Sequence, residues 1–261
     1  MIYFTIYAKT KVMSKDSSQQ THFGFQSIQF EQKQDKVNDV FHTVASKYDL
    51  MNDLMSCGLH RFWKDYAVNS MGLHKNDHVL DLAGGTADLS NRILKKLAHS
   101  SQLCLADYNH SMLKIGRKNL HNAGYLSPVV VADGHSLPFP EGCFDHIIVG
   151  FGLRNMADQC KALESMYKTL KKNGKLTVLE FTTPTNPLFE KIYDWYSFNL
   201  IPQIGAWITA SKESYEYLVE SIRMHPKAPE LQHMFENVGF SKCSYEYLSQ
   251  GIVAIHQGVK Q

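Results

Sequence analysis

Along residues 33–56, "KQDKVNDVFHTVASKYDLMNDLMS", apolar residues fall at Val37, Val40, Phe41 and Val44, then at Leu50, Leu54 and Met55. This spacing predicts two short amphipathic helices. The stretch "HRFWKDYAVNSMG" (60–72) predicts a third, closed by Gly72. From Asp77 the texture changes to short apolar runs alternating with helical segments. The runs are "HVLDLA", "LCLADY", "PVVVAD", "FDHIIVGFG" and "KLTVLEFT", and the helices are predicted over Leu89–Ala98, Met112–Ala123 and Ala157–Leu170. Strands that read as nearly continuous apolar runs between helices are buried on both faces, so the alternation predicts a mostly parallel sheet covered by helices. Between about 184 and 229 the alternation gives way to an aromatic segment, expected to form a helical cap, and the end of the chain reads as a helix and two closing strands. The expected organisation is a disordered tail over 1–20 and a single domain over 21–261, with N-terminal helices over 33–72.

Composition narrows the class. With 261 residues, 44% of them hydrophobic, the chain can bury a full core. A formal charge of +2 gives no electrostatic footprint for nucleic acid. The five cysteines show no CxxC and no Cys/His pairing at ligand spacing, which argues for a reducing compartment and against structural zinc. The apolar start "MIYFTIYAKTKV" has no preceding basic region and no small-residue cleavage site, and no stretch is long enough for a membrane span. A cytoplasmic protein is expected, with Met13 as a second candidate start.

The candidate chemistry begins at "VLDLAGGTADLS" (79–90), an apolar run that turns through small residues into a predicted helix. A dinucleotide fingerprint wants glycine at the positions held here by Ala83, Gly85 and Asp88. An aspartate at the helix start would repel a pyrophosphate. S-adenosylmethionine carries no phosphate and has a cationic sulfonium, so it suits the turn better than NAD. Asp107 ends the next apolar run 26 residues after Asp81, where a carboxylate can reach ribose hydroxyls. Asp133 and Gly134 end the run after that, at the same sheet edge, where an acceptor could take an adenine amino group. Each acidic residue taken singly also fits a helix cap or a turn.

Several segments together resemble the quinone-biosynthesis C-methyltransferases, the bacterial demethylmenaquinone and polyprenyl-methoxy-benzoquinol methylases. They are "HFGF", "VASKYDLMNDLMS", "HRFWK", "VLDLAGGTADLS", "LPFP", "FGLRN", "VLEF", "YSF", "SYEYLVESIRMHP" and "GIVAIHQG", and the likeness runs from about Thr21 to Val259. It implies a class I S-adenosylmethionine-dependent methyltransferase fold, Rossmann-like with a mostly parallel seven-stranded sheet and a helical cap. It also implies S-adenosylmethionine as donor and a prenylated quinol as acceptor. By motif, Thr86, Asp107, Asp133 and Gly134 would bind the cofactor, with Asp81, Gly84 and Gly85 forming the loop. Ala87 departs from a usual glycine, and Gly150 stands where relatives can have serine.

Methylating a ring carbon needs an electron-rich ring. A phenol titrates near ~10, so holding it ionised at pH 7 takes roughly 4 kcal/mol, within reach of well-placed donors in a dry site. Arg154 of "FGLRN" is the leading candidate for stabilising the phenolate or polarising a water, since arginine itself is effectively never a base. Asn155 would orient substrate or water, and Tyr48 would bond the ring oxygen. Arg223 and His225 are weaker candidates. The aromatic cap reads both as a packed helix and as the wall of a lipid-tail channel, with transient contact at the inner face of the cytoplasmic membrane. A homodimer or a quinone-biosynthesis complex fits the same picture. A nicotinamide oxidoreductase, an O- or N-methylase of another small molecule and a non-catalytic cofactor-binding subunit are the competing readings.

Overall fold

The computed structural model describes residues 20–45, 52–53, 56, 58–200, 203 and 212–261. The expected tail up to residue 19, most of the second predicted helix, and Tyr48 lie outside the described residues.

The described chain opens with a hairpin that the sequence pattern does not announce. Strands β1 (Gln20–Phe23) and β2 (Gln26–Gln29) pair antiparallel, with Gly24 in the turn at positive φ. Helix α1 (Phe30–Val44) follows as one continuous element and starts three residues earlier than the apolar spacing suggests. Gln32 Oε1 accepts the Gln29 N–H at 3.4 Å, satisfying a donor at the first turn that has no partner within the helix. Helix α2 (His60–Ser70) ends before Gly72, as predicted.

The central sheet is built from β3 (Val79–Leu82), β4 (Leu103–Asp107), β5 (Val129–Val131), β6 (Phe144–Gly150), β7 (Leu170–Phe181), β8 (Ser241–Leu248) and β9 (Val253–Val259). Their order is β5-β4-β3-β6-β7-β9-β8. The first five are parallel, and β9 runs antiparallel to both β7 and β8. All four residues of β3 are buried, as expected of a strand covered on both faces. Between them run α3 (Asp88–Leu94), α4 (His110–Asn122) and α5 (Gln159–Thr169). The starts of α4 and α5 are fixed by side chains: Asn109 Oδ1 accepts the Met112 N–H, and Asp158 Oδ1 accepts the Lys161 N–H, each at 2.9 Å.

The cap segment contains α6 (Pro187–Trp195), a π-helical turn over Tyr196–Leu200 and α7 (Lys212–Met224). Helix α8 (Ala228–Val238) then leads to β8 and ends on Gly239 at φ 110°. The sheet separates two apolar layers. One holds Trp63, Leu89, Ile93, Phe151, Phe181 and Tyr215, and the other Leu80, Ile147, Leu163, Met166, Leu231 and Phe235. Trp63 sets its ring edge-on to Phe181 at 6.1 Å, which locks α2 against the ends of β6 and β7. Because β3 lies between β4 and β6, the connections diverge beside its C-terminal end, which is where ligand crevices open in sheets of this kind.

Candidate active site

The turn after β3 is unusual backbone. Ala83, Gly85 and Ala87 all take positive φ, at 55°, 51° and 69°. Ala87 at this left-handed position pays a backbone cost that glycine avoids, which gives the expected glycine there a physical reason. Gly84 has no room for a side chain: a Cβ would sit 2.4 Å from Leu105 Cδ1 and 2.7 Å from Asp81 Cγ. At Gly150 a Cβ would meet Leu89 Cδ1 at 2.4 Å, so Leu89 occupies the space a serine would need.

Asp107, at the end of β4, ties this turn down. Its Oδ2 accepts the Gly85 N–H at 2.9 Å and its Oδ1 accepts the Asn109 N–H at 2.8 Å. Burial pushes the Asp107 carboxyl up to about 6, against the pull of the main-chain donors of Asn109, Gly85 and Tyr108. Asp133 is set differently. Burial raises its carboxyl, but the hydrogen bonds from His135 outweigh that and leave it below its ordinary value. His135 Nε2 accepts the Asp158 N–H at 3.1 Å, so Nδ1 carries the proton and donates to Asp133 Oδ1 at 2.6 Å.

One cleft collects Gly85, Asp107, Asp133, Gly134 and Asn155, walled on its open side by Gln34, Val37, Asn38 and Phe41 of α1. The other expected cofactor residues stand behind it. Asp81 is fully buried, with Oδ2 accepting from Ser90 Oγ at 2.6 Å and Oδ1 lacking a partner, and burial pushes its carboxyl up to about 7. Gly84 packs on Leu105, and the buried Thr86 offers its carbonyl to Asn119 Nδ2 at 3.0 Å. Asp88 also faces away. Its carboxylate pairs with Lys64 at 2.9 Å and Arg92 at 3.1 Å, so it would not meet a ligand in the cleft. The repulsion argued from sequence against a pyrophosphate therefore fails at Asp88.

A stronger version of the argument comes from the cleft itself. Its lining includes two carboxylates and, among the described residues, no lysine or arginine. Such a donor set suits a neutral or cationic ligand with hydroxyls and disfavours a diphosphate. Gly134 helps to shape the wall: a Cβ there would lie 3.0 Å from Met156 Sδ. The cleft holds about 80 Å³ with α1 packed down on it. Small-molecule sites run from roughly 300 Å³ upward, so the cleft with α1 in this position is narrower than a nucleoside-sized ligand needs. Helix α1 is tied over it by Asn109 Nδ2 to Asn38 Oδ1 at 2.6 Å and to the Asn38 carbonyl at 3.1 Å, by His42 Nδ1 with Ser111 Oγ at 2.9 Å, and by Lys33 Nζ to the carbonyls of Arg154 and Met156 at 3.4 Å and 3.2 Å.

Next to the cleft, the turn after β6 begins at Phe151, whose φ of 58° is strained for an aromatic residue. Its carbonyl accepts from Arg154 Nη1 at 2.6 Å. Arg154 is buried in an ion pair with Glu180 of β7, Nη1 to Oε1 at 2.6 Å, and its guanidinium lies 5.3 Å from the Phe181 ring centre. Glu180 also accepts the Arg154 and Phe181 N–H groups, at 3.2 Å and 2.9 Å. Asn155 Oδ1 accepts from the Tyr217 hydroxyl at 2.9 Å, and Phe23 stacks on Tyr217 at 4.2 Å between ring centres.

Arg154 thus stands beside the cleft, lining an adjoining cavity with Lys33 and Tyr217. Arg223 belongs to the cap, paired with Asp194 and facing the rings of Tyr193 and Phe198. His225 is buried and pushed down to about 3, chiefly by burial and then by Arg154, so it is neutral. Sequence reasoning missed Glu180, Lys33, Tyr217 and His135. Only Glu180 carried a signal of its own, a single charge inside the apolar run "VLEF".

The description "ubiE/COQ5 methyltransferase family" fits residues 29–260. The chain is 48% identical over 250 residues to the ubiquinone/menaquinone biosynthesis C-methyltransferase UbiE of Pseudoalteromonas translucida, covering 95% of this chain and 100% of that protein. It is 49% identical over 250 residues to the protein of the same name from Psychromonas ingrahamii, with the same coverage. Among solved structures, a SAM-dependent methyltransferase from Thermotoga maritima superposes with a TM-score of 0.61 at 15% identity, over 86% of this chain and 100% of that one. One from Aquifex aeolicus does so with a TM-score of 0.57 at 13% identity, over 81% and 96%. These last two likenesses define the fold as that of the class I S-adenosylmethionine-dependent methyltransferases. With that fold, a family description that fits residues 29–260 and relatives matched over their full length, the chain belongs to the ubiE/COQ5 methyltransferase family.

Proposed function

We infer that the protein is a C-methyltransferase that uses S-adenosylmethionine to methylate the ring of a prenylated quinol in ubiquinone or menaquinone biosynthesis. The observation that carries this reading is the acidic cleft, with no lysine or arginine among the described residues that line it, at the divergence point of the sheet, in a chain nearly half identical to full-length relatives of that name. S-adenosylmethionine supplies a methyl group activated on a sulfonium. Asp107 and Asp133 would hold its ribose and adenine ends, and Gly85 and Gly134 leave room for it.

On the acceptor side, Arg154 is the phenolate-stabilising group. Its Nη1 is committed to Glu180 and Phe151, and its Nε is buried without a partner, which leaves the guanidinium a fixed positive charge beside the cleft. Asn155 lines the cleft with its amide oriented by Tyr217, which suits it to position the ring or a water. Tyr48, expected to close over the ring, lies outside the described residues.

The test is quinone profiling by mass spectrometry in a bacterial strain lacking its own quinone C-methylase, complemented with this chain or with Arg154→Ala. Methylated quinone from the intact chain alone supports the reading, provided both proteins accumulate equally. No methylated quinone from an intact chain that binds S-adenosylmethionine refutes it.

Access to a bilayer-borne substrate is assigned to the cap. No helix among the described residues is long and apolar enough to cross a membrane. Leu188 and Trp195, on one face of α6, are 70% and 63% exposed, and Phe198 stacks with the exposed Phe25 at 6.3 Å. Apolar side chains presented this way suit shallow, reversible insertion at a membrane surface. Replacing Trp195 and Phe198 with polar residues should abolish flotation with quinone-loaded liposomes; unchanged flotation sinks the idea.

A further inference from the structure

The carboxylate of Asp133, placed above at the adenine end of the cofactor, is oriented by a single residue, His135. After β5 the chain closes a tight turn in which the Ser136 N–H donates to the Asp133 carbonyl at 3.0 Å. Within that turn the His135 main-chain N–H donates to Asp133 Oδ1 at 2.9 Å, and its ring Nδ1 donates to the same oxygen at 2.6 Å. Both lone pairs of Oδ1 are thereby used. Among the described residues no donor reaches Oδ2. The Asp133 side chain is 44% exposed and lines the cleft, whereas the imidazole that holds it is only 7% exposed.

The imidazole is itself held from two other elements. Its Nε2 accepts the Asp158 N–H at 3.1 Å, at the residue whose own side chain caps α5. The ring of Phe30, the first residue of α1, lies against it at 5.7 Å between centres. A neutral imidazole that accepts at Nε2 must donate at Nδ1, so the start of α5 dictates the donor that Asp133 meets. Turning the carboxylate would break the 2.6 Å bond, which is charge-assisted. Against the upward push of burial, the hydrogen bonds from His135 hold the Asp133 carboxyl below its ordinary value, so at neutral pH Oδ2 carries no proton and only accepts.

An oxygen that only accepts discriminates between purines. The 6-amino group of adenine donates to it, whereas the 6-oxo group of hypoxanthine sets acceptor against acceptor.

We propose that His135 is the positioning residue for base selection: it fixes Asp133 so that Oδ2 faces the cleft as a pure acceptor, and the site takes a 6-amino purine nucleoside over a 6-oxo one. The assignment rests on the placement of the adenine end of S-adenosylmethionine at Asp133. It needs no methyl acceptor, so it stands apart from the C-methylation reading.

The test measures, by calorimetry, the affinity of the full-length chain for S-adenosylhomocysteine and for S-inosylhomocysteine, its 6-oxo counterpart. An asparagine amide can donate from the position of Nδ1 but has no atom at Nε2, and a glutamine amide can accept at the position of Nε2 but has no donor at Nδ1. Wild type should prefer S-adenosylhomocysteine by at least about 10²-fold, the worth of a hydrogen bond to a charged group plus the unpaired carboxylate left by its loss. His135→Asn should keep that preference to within about threefold, and His135→Gln should reduce it to about tenfold or less. If His135 only braced α5, His135→Asn would be the variant that loses urea stability, and the preference would stay at the wild-type value in both. An undiminished preference in His135→Gln, or an equal loss in His135→Asn, overturns the proposal.

A measurement on the wild type covers the case in which the variants fail to fold. With S-adenosylhomocysteine bound, the His135 imidazole, assigned by NMR through its own main-chain resonances, should carry its proton on Nδ1 alone. A proton on Nε2 overturns the proposal. A wild type without preference between the two nucleosides brings down the placement of adenine at Asp133 and this role with it. A preference that Asp133→Asn abolishes and His135→Gln retains overturns the role of His135 alone.

Discussion

The Arg154–Glu180 pair provides a quantitative test of how the site is held. Both side chains are almost fully buried, at 3% and 1% exposure, so the discount that reduces surface ion pairs to ~0–1 kcal/mol does not apply. Glu180→Gln keeps the size of the side chain but removes the counter-charge. If the amide oxygen takes the place of Oε1, it still accepts from Arg154 Nη1 and the Phe181 N–H. The amide NH₂ then meets the Arg154 N–H where Oε2 now accepts it, a donor facing a donor. An unsatisfied buried N–H costs about 1–3 kcal/mol. Removing one partner of a buried pair costs about 3–5 kcal/mol in total, because the remaining charge stays uncompensated. The expected loss is therefore about 3 kcal/mol, seen in urea unfolding as a midpoint lowered by about 1 M at an m-value near ~3 kcal/mol/M. Arg154→Met combined with Glu180→Gln should lose less than the sum of the single losses, with a coupling of at least ~1 kcal/mol. A single-variant loss below ~1 kcal/mol, or strict additivity, would refute the view that this pair is a desolvated anchor for the acceptor side.

Three further outcomes follow from the geometry. Asp107→Asn sets an NH₂ where one carboxylate oxygen now accepts the Gly85 or the Asn109 N–H, and it should raise the Kd for S-adenosylmethionine at least about tenfold by calorimetry. Wild-type affinity should also weaken as the pH falls through about 6, and that dependence should vanish in the variant. For Asp81, the folded value of about 7 lies above the ordinary 3.8, so the folded chain binds the extra proton and the ionised group is a cost that is absent below about pH 4 and complete above about 7. The stability difference between Asp81→Asn and wild type should therefore shift in the variant's favour from pH 4 to 8 in urea titrations without cofactor, and a flat difference refutes this. Asn38→Ala removes the shorter of the two ties from Asn109 Nδ2 to α1, the 2.6 Å bond to Asn38 Oδ1, and leaves the 3.1 Å bond to the Asn38 carbonyl. It should raise the stopped-flow association rate of S-adenosylmethionine several-fold, whereas an unchanged rate means that α1 is not the barrier.

The sequence by itself determined the scaffold and where its ligand end lies. Buried parallel strands must be short apolar runs, and the helices between them must repeat every three to four residues, so β3, β4 and β6 and the helices α4 and α5 are legible within a few residues. Small residues after β3 and acidic residues at the ends of β3 and β4 and just beyond β5 are local features too, and so Asp107, Asp133 and Gly85 could be placed together before any coordinates. The tertiary structure alone decided which way those residues point and what they meet. Asp88 sits in the motif, yet it turns toward Lys64 on another helix. Arg154 meets Glu180 across 26 residues of chain, Asn155 meets Tyr217 across 62, and Lys33 meets Arg154 across 121. No periodicity encodes such pairings, because they depend on how α1, α7 and the N-terminal hairpin pack against the turn after β6. Local pattern specifies elements, whereas the desolvation and hydrogen bonding that tune Lys33, Asp81 and Asp107 arise only when distant segments exclude water around them.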